Sequence, residues 1–266
     1  LLPVLKADHK LRVRTTVTTG LIATMRFNQL WSPFDNPAVR RAMLGAVSQS
    51  EYMIGMVGTD PSLWHDKVGI FCPNTPMASD AGMSVLTSPR DLARAKQEIA
   101  AAGYKGEKIV LLAPTDIPSA KALADISADL YKKLGFNIDY QAMDWATLVG
   151  RRAKMNPIDK GGWSLFHTSW NGTDMLDPIG HVFLRGNGRA AAIGCPTAPK
   201  IEALRNQWIR ASDLAAQKKL AAELQVQAFH DVPYIPLGQY FAPTAYRANL
   251  KGVLNGIPAF WNVQRV

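Results

Sequence analysis

One short stretch of the chain holds most of the side chains that could do chemistry: His167, Trp170, Asp174, Asp177 and His181. A tryptophan ring can cover a ligand, and a carboxylate forms strong charge-assisted hydrogen bonds with cations. The histidines and aspartates are also the residue types of a metal-assisted hydrolase. However, their spacing is not that of a helical histidine pair, and neither an HExxH nor a GxSxG motif occurs. We therefore predict a binding protein that has no catalytic residue, metal site or cofactor.

A predicted strand leads into this stretch. The pattern of residues 163–168 alternates, with Trp163 and His167 on the same face. This pattern favours His167 as a buried core histidine, although it stays a candidate ligand contact because the strand runs into the polar loop. Asp177 followed by Pro178 predicts the start of a helix, so we expect the Asp177 carboxylate to cap that helix.

A βαβ unit is predicted earlier in the chain. Residues 108–113 form a short apolar run, residues 119–134 carry leucine and isoleucine at helical spacing, and residues 136–142 alternate again. Such strands are parallel with a right-handed crossover, and ligands bind at their carboxyl edge. The carboxyl end of the strand predicted at residues 163–168 would lie at the same edge if this strand joins the sheet in parallel. Trp145 follows the second strand and is a candidate for either a binding-cleft wall or the core.

The remaining segments complete an α/β pattern. Helices are predicted from Asn36, from Ser88 and from Asp213, each a residue that can cap the first turn. In the first of these helices Arg40 lies away from the apolar stripe, so we expect it to be solvated. Residues 59–87 form a long, apolar, proline-containing connection of the kind that is often functional or interface-forming.

Composition and charge narrow the function. The chain has 266 residues, 47% of them hydrophobic and 19% charged, and no apolar run approaches the length of a membrane span. The net charge is +9, but lysine and arginine are scattered in runs of two at most. This pattern favours a solvated basic surface, so we expect no nucleic-acid partner; a basic nucleic-acid-binding module stays a distant alternative.

The two cysteines, Cys72 and Cys195, lie in similar Cys-Pro contexts. Neither belongs to a closely spaced pair, which argues against zinc. In an oxidising compartment they could form one disulfide, which would contribute about 4–5 kcal/mol by constraining the unfolded chain. Two free, buried thiols are the alternative, and both remain open.

Four segments, in this order, give the chain a family resemblance. They are RFNQLWSPFDNPAVRRAM (26–43), SPRDLARAKQEIAAAGY (88–104), WNGTDMLDP (170–178) and HDVPYIPLGQ (230–239). Each is weak alone, but the ordered set resembles the C-terminal part of the family 5 extracellular solute-binding proteins. These are the dipeptide, oligopeptide and nickel binders of ABC importers.

The resemblance implies an α/β fold that is the C-terminal lobe of a type II periplasmic-binding-protein fold, with strands of the other lobe attached. The implied division is residues 1–31 as lobe I strands and hinge, 32–231 as the C-terminal lobe, and 232–266 as a return to lobe I. A chain of this kind is a fragment, and the missing N-terminal lobe of the same protein would be a partner.

The resemblance also implies a function: a periplasmic, or membrane-anchored extracellular, receptor that delivers a peptide-like solute to a membrane permease. Asp174 falls where the family's ammonium-binding aspartate lies, although the loop here is one residue longer. Trp170 would cover the ligand, and Asn28 would be a hinge or cleft hydrogen-bonder. A receptor for a metal chelate, an opine or an oligosaccharide is the alternative within the family.

Overall fold

The structure is a computed structural model that describes residues 2–256 and 259–266. Within these residues the α-helices are α1 (Leu2–Ala7), α2 (Pro37–Leu44), α3 (Gln49–Val57), α4 (Ser84–Thr87), α5 (Leu92–Ala101), α6 (Pro118–Lys133), α7 (Trp145–Arg152), α8 (Pro199–Ile209) and α9 (Leu214–Asp231). The strands are β1 (Leu11–Arg14), β2 (Leu21–Phe27), β3 (Trp64–His65), β4 (Lys108–Pro114), β5 (Asn137–Met143), β6 (Leu165–Asn171), β7 (Tyr234–Tyr240), β8 (Thr244–Arg247), β9 (Leu250–Lys251) and β10 (Gln264–Arg265).

Six of the strands form one mixed sheet in the order β3-β7-β2-β6-β4-β5. The strand β4 is parallel to both β5 and β6, whereas β2 is antiparallel to β6 and β7. The predicted βαβ unit is therefore confirmed, and so is the parallel entry of the β6 strand into the sheet. The α/β fold class is confirmed as well.

Helices α3 and α6 cover one face of the sheet. The sequence of α6 places Leu123 and Tyr131 inward, where both are fully buried. Burying side chains of this size contributes roughly 1.5–3 kcal/mol each. On the sheet, Met25 and Leu165 face this layer, and the Tyr131 hydroxyl donates to the Met25 sulfur at 3.2 Å.

The opposite face is covered by α7 and by loops. Here Trp163 packs against Phe166 with ring centroids 5.3 Å apart, next to Leu148 of α7. The predicted sharing of one face by Trp163 and His167 is therefore wrong. The regular ladder begins only at Leu165, after a turn in which Gly161 has a φ of +79°, so the alternation does not extend back to Trp163.

Local capping explains where several helices begin. Asn36 Oδ1 accepts the Ala38 N–H at 2.9 Å, and Asp213 Oδ1 accepts the Ala216 N–H at 2.8 Å, as predicted. The helix expected from Ser88 begins later, because the Asp91 carboxylate is the group that accepts an amide of the first turn.

The helix predicted after Pro178 does not form. Asp177 Oδ1 instead accepts the N–H groups of Ile179 at 2.7 Å and Gly180 at 2.9 Å, which closes a turn. Gly180 disfavours continuation as a helix. His181, immediately after, is held in the core by a 2.8 Å hydrogen bond between its Nε2 and the Tyr234 hydroxyl.

The expectation that Arg40 is solvated is also wrong, because this side chain is only 4% exposed. Its guanidinium donates to the carbonyls of Asp231 at 2.6 Å, Val232 at 3.1 Å and Phe34 at 2.5 Å. The last carbonyls of a helix have no partner within it, and a cation stabilises them. Arg40 therefore caps the C-terminus of α9.

Both ends of the chain contribute to the main sheet. The strands β2 and β7 are neighbours in it, while β1 pairs with β8 and β9 with β10 in two small antiparallel ladders. Strand pairing therefore crosses the predicted boundaries at residues 31 and 231, and that division stays a prediction. No helix in residues 2–256 and 259–266 is long and apolar enough to cross a bilayer.

Candidate functional site

The carboxyl ends of β4, β5 and β6 meet at one edge of the sheet, where open α/β sheets bind ligands. The connections that follow these strands are tied together. The Thr115 N–H donates to the Met143 carbonyl at 2.8 Å, and the Trp145 N–H donates to Asp116 Oδ1 at 2.8 Å. This edge, with the loop after β6, is the candidate site.

The loop that carries Asp174 is fixed at both ends. At its start the Gly172 N–H donates to the Gly20 carbonyl at 2.9 Å, and a Cβ on Gly172 would lie 2.2 Å from the Thr19 carbonyl oxygen. At its end the Met175 carbonyl accepts the Cys72 N–H at 3.0 Å. Only glycine fits at position 172, so the sequence holds this loop tightly against its neighbours.

Asp174 is half-buried in a short 3-10 helix (Gly172–Met175). Its carboxylate has no hydrogen-bond or ion-pair partner among the residues that the structure describes. The nearby carboxylates differ: Asp144 accepts the Thr147 N–H at 2.9 Å, Asp116 accepts an amide of α7, and Asp177 closes its turn. Asp174 is therefore the acid at this edge whose charge is left for another partner.

Trp170 lies near the end of β6, paired with Ile22. Its ring packs edge-on against Phe183 with centroids 5.2 Å apart, and its indole N–H is buried with no partner in the described part of the chain. A buried N–H without a partner costs about 1–3 kcal/mol, so a hydrogen-bond acceptor that reached this donor would bind favourably.

Gln239 shares this end of the sheet and was missed by the sequence reasoning. It pairs with Ile22 from the other side of β2, opposite Trp170, and is 2% exposed. Its Nε2 donates to the Thr19 carbonyl at 2.8 Å, while its Oε1 is buried without a partner among the described residues. The available signal was a glutamine in an otherwise apolar strand.

Trp145 is at the candidate edge through its backbone, as the first residue of α7. Its ring is partly buried and packs on the cluster around Phe166, with the Arg152 guanidinium 5.2 Å from the ring centroid. The structure thus gives the Trp145 ring a packing role beside the carboxyl edge.

His167 is not part of the candidate site. It is fully buried under α6, where its Nε2 lies 2.7 Å from the Ser127 hydroxyl, which in turn lies 2.7 Å from the Tyr52 hydroxyl. Burial lowers the pKa of His167 to about 3. The imidazole is neutral at physiological pH and belongs to the core.

Asn28 also lies away from the candidate site. It follows β2, whose Phe27 pairs with the first residue of β6, so Asn28 and Trp170 are at opposite ends of the ladder, roughly 15–20 Å apart. Its Nδ2 donates to the Trp163 carbonyl at 3.0 Å, and its Oδ1 accepts the Leu30 N–H at 3.2 Å. These bonds hold two segments together at the far end.

Cys72 and Cys195 are free, buried thiols in the structure, and no disulfide joins them. The Cys72 sulfur lies 3.6 Å from the Thr19 carbonyl, and burial raises the pKa of this thiol to about 11. Cys195 belongs to the far end near Asn28. Within residues 2–256 and 259–266, no cluster of three or more histidine, cysteine or acidic side chains could hold a metal ion.

Solved structures show the same fold. The chain superposes on the peptide complex (STSA) of the ABC transporter-associated periplasmic binding protein DppA from Helicobacter pylori with a TM-score of 0.79 and 19% identity, covering 99% of this chain and 50% of that one. It superposes on the agropinic acid complex of AgaA from A. tumefaciens R10 with a TM-score of 0.78 and 18% identity, covering 99% and 54%. The fold is therefore part of a type II periplasmic-binding-protein fold, as predicted.

The sequence defines the family. Residues 2–188 match the profile described as "Bacterial extracellular solute-binding proteins, family 5 Middle". The chain belongs to this family. A relative from Sinorhizobium fredii (strain NBRC 101917 / NGR234), the probable peptide ABC transporter periplasmic-binding protein y4tO, is 32% identical over 266 residues, which are 100% of this chain and 50% of the relative. The chain thus spans about half the length of the curated relatives it matches.

Proposed function

We propose that this chain is part of the extracytoplasmic binding component of an ABC importer and that it binds a peptide-like solute at the carboxyl edge of β4, β5 and β6. The observation that carries the proposal is the half-buried Asp174 carboxylate, unpaired within the described residues on a loop fixed at both ends. The role is binding and not catalysis, in the periplasm or outside the cell.

A peptide with a free amino terminus suits this edge. An ammonium offers three donors, and a charged hydrogen bond to a carboxylate contributes roughly 1.5–3 kcal/mol. The indole N–H of Trp170 and the Oε1 of Gln239, which flank Ile22 on neighbouring strands, add two buried polar atoms without a partner among the described residues. These features together support a peptide over a purely apolar ligand.

The rest of the cleft belongs to the other half of the protein. In this proposal residues 32–231, together with β2 and β7 of the same six-stranded sheet, form one lobe. The other residues of 1–31 and 232–266 run to the missing lobe, and a membrane permease receives the closed complex. The exposed aromatic side chains near the chain end, Phe260 at 78% and Trp261 at 90%, are consistent with a surface that another segment covers.

A non-peptide solute is the second candidate, favoured by the close superposition on a protein that holds agropinic acid. Native mass spectrometry of the full gene product, purified without unfolding, separates the two candidates. A co-purifying peptide with a free amine supports the first. A co-purifying opine, sugar or chelate supports the second and overturns the first.

A further inference from the structure

A second concave site lies at the far end of β6 from Asp174. It is a pocket of about 200 Å³ between the end of α7 and the loop before α8. Most of its wall is apolar, contributed by residues such as Trp163, Met155 and Ile193, and Arg152 is also one of its lining residues. The binding of a solute proposed for the carboxyl edge does not involve this pocket.

Arg152 is unlike the other half-buried or buried arginines. Its guanidinium lies 5.2 Å from the centroid of Trp145 and 5.0 Å from that of Phe166, yet it makes no hydrogen bond or ion pair within residues 2–256 and 259–266. By contrast, Arg26 donates to four backbone carbonyls, and the adjacent Arg151 donates to the Gly162 carbonyl at 3.0 Å. Half-buried guanidinium groups normally donate hydrogen bonds to a partner, so the N–H donors of Arg152 are available to a ligand.

The walls of the pocket are held in place by hydrogen bonds. Arg26 Nε donates to the Ile193 carbonyl at 2.7 Å, and the Gln29 N–H donates to the Gly194 carbonyl at 2.8 Å. On the opposite side the Trp163 indole donates to the Lys154 carbonyl at 3.1 Å. A pocket with fixed walls loses little entropy when it binds a ligand.

The charge of the pocket is uncompensated. Among the described residues that line it, none is an aspartate or glutamate, and Lys154 adds a second cation. The Asn28 amide is occupied by its bonds to backbone groups. The lining therefore combines two basic residues with an apolar wall, a composition that favours an anion with an apolar part.

We propose that this pocket binds a small organic carboxylate, with the carboxylate on the guanidinium of Arg152 and the apolar part against Trp163 and Ile193. The bidentate match between guanidinium and carboxylate supplies orientation. The volume limits the ligand to a small molecule, well short of a peptide of several residues. The proposal is independent of the function assigned to the carboxyl edge.

Calorimetric titration with sodium benzoate tests the site, with benzamide as the neutral counterpart of the same shape. We expect benzoate to bind at least tenfold more tightly than benzamide or inorganic phosphate, and Arg152→Gln to lower the benzoate affinity at least tenfold. Gln keeps the stem that packs on the rings. The matched control is Arg210→Gln, which removes an exposed positive charge elsewhere and should leave benzoate binding unchanged.

Absence of benzoate binding, an equal affinity for benzamide, or an unchanged affinity in Arg152→Gln would each overturn the proposal. Phosphate binding as tightly as benzoate would overturn the assigned ligand class. Near-ultraviolet circular dichroism checks that both variants are folded. Peptide binding is measured separately and enters none of these outcomes, so failure here and failure of the proposed function are distinguishable.

Discussion

At the scale of single residues, the buried side chains of Arg26 and Arg40 are matched to backbone carbonyls that lie far along the chain. Burial lowers the pKa of Arg26 to about 9 and that of Arg40 to about 10, so both stay largely protonated at neutral pH. Their guanidinium groups donate to backbone carbonyls, which are acceptors that a loop or helix end would otherwise leave unpaired.

Removing the Arg40 cap tests this residue-scale account. Arg40→Met should lower the free energy of unfolding by about 2–4 kcal/mol, because it leaves the carbonyls of Asp231 and Phe34 without their side-chain donor and removes one of two donors to the Val232 carbonyl. Urea unfolding measures the change. The control is Arg41→Met, whose partly exposed side chain makes one hydrogen bond to the His230 carbonyl and should cost less than about 1 kcal/mol. Equal losses in the two variants would refute the capping role.

The two buried histidines determine a predicted dependence of folding stability on pH. Burial lowers the pKa of His167 and that of His181 to about 3, below an unfolded value of about 6.5. Between these values the unfolded chain binds protons that the folded chain does not, so stability falls as the pH falls from about 6.5 toward 3. Each histidine should contribute about 1.4 kcal/mol per pH unit to this loss.

Urea unfolding at pH 7, 6 and 5 checks the prediction. His167→Gln should reduce the slope of unfolding free energy against pH below 6.5, because one of the two buried titrating groups is gone. The exposed His9 provides the control, and His9→Gln should leave the slope as in the wild type. An unaltered slope in His167→Gln would contradict the assignment of His167 to the neutral core.

At the scale of elements, local sequence patterns predicted most helices and strands. The βαβ unit follows from apolar periodicity within each segment, and Asn36 and Asp213 cap their helices as expected. Two of the failures involve contacts with residues far along the chain. The helix after Pro178 is replaced by a turn next to His181, whose partner Tyr234 lies far along the chain, and Arg40 is buried by the end of α9.

Part of the candidate site could also be predicted from local sequence patterns. Trp170 lies near the end of a strand of the parallel unit, Asp174 and Trp145 follow such strands, and a parallel βαβ arrangement brings such residues to one edge. Asn28 and His167 are excluded by register and by the face of β6, which only strand pairing reveals. Gln239 joins the site because β7 lies beside β2, a pairing between the two ends of the chain.

Gly172 tests how the Asp174 loop is positioned. Gly172→Ala would place a methyl group 2.2 Å from the Thr19 carbonyl oxygen and 2.7 Å from the Cys72 sulfur, so the loop must shift. We expect a loss of about 1–3 kcal/mol in stability and weaker binding of free-amine peptides. The control Gly150→Ala lies in α7, where an added Cβ meets nothing within 4 Å, and should be neutral or slightly stabilising. Equal stability of the two variants would show that the loop is not held as described.

At the scale of the whole molecule, the proposed function makes the described chain one side of a cleft. The chain spans about half the length of its relatives, and Asp174 at the carboxyl edge is half-buried with no partner among the described residues. In the proposed function the second lobe supplies the opposite wall and excludes water. An ammonium–carboxylate contact is much stronger when water is excluded, because the effective dielectric constant falls.

A comparison of chain lengths tests this division. The full gene product should bind a free-amine dipeptide at least tenfold more tightly than the 266-residue chain, because half of the cleft is missing from the shorter chain. Isothermal titration of both proteins with the same dipeptide measures the ratio. Equal affinities would mean that the described lobe binds the ligand by itself.

Asp174 gives the most direct test of the central claim. Calorimetry on the full gene product should show that Asp174→Asn lowers the affinity for a free-amine dipeptide roughly tenfold or more, equivalent to about 1.4 kcal/mol. The affinity for the N-acetylated dipeptide should be weak and nearly unchanged. Asp159→Asn, at an exposed and distant acid, is the control and should bind both peptides as the wild type does. The same loss for both peptides in Asp174→Asn, or no loss for either, would contradict the account.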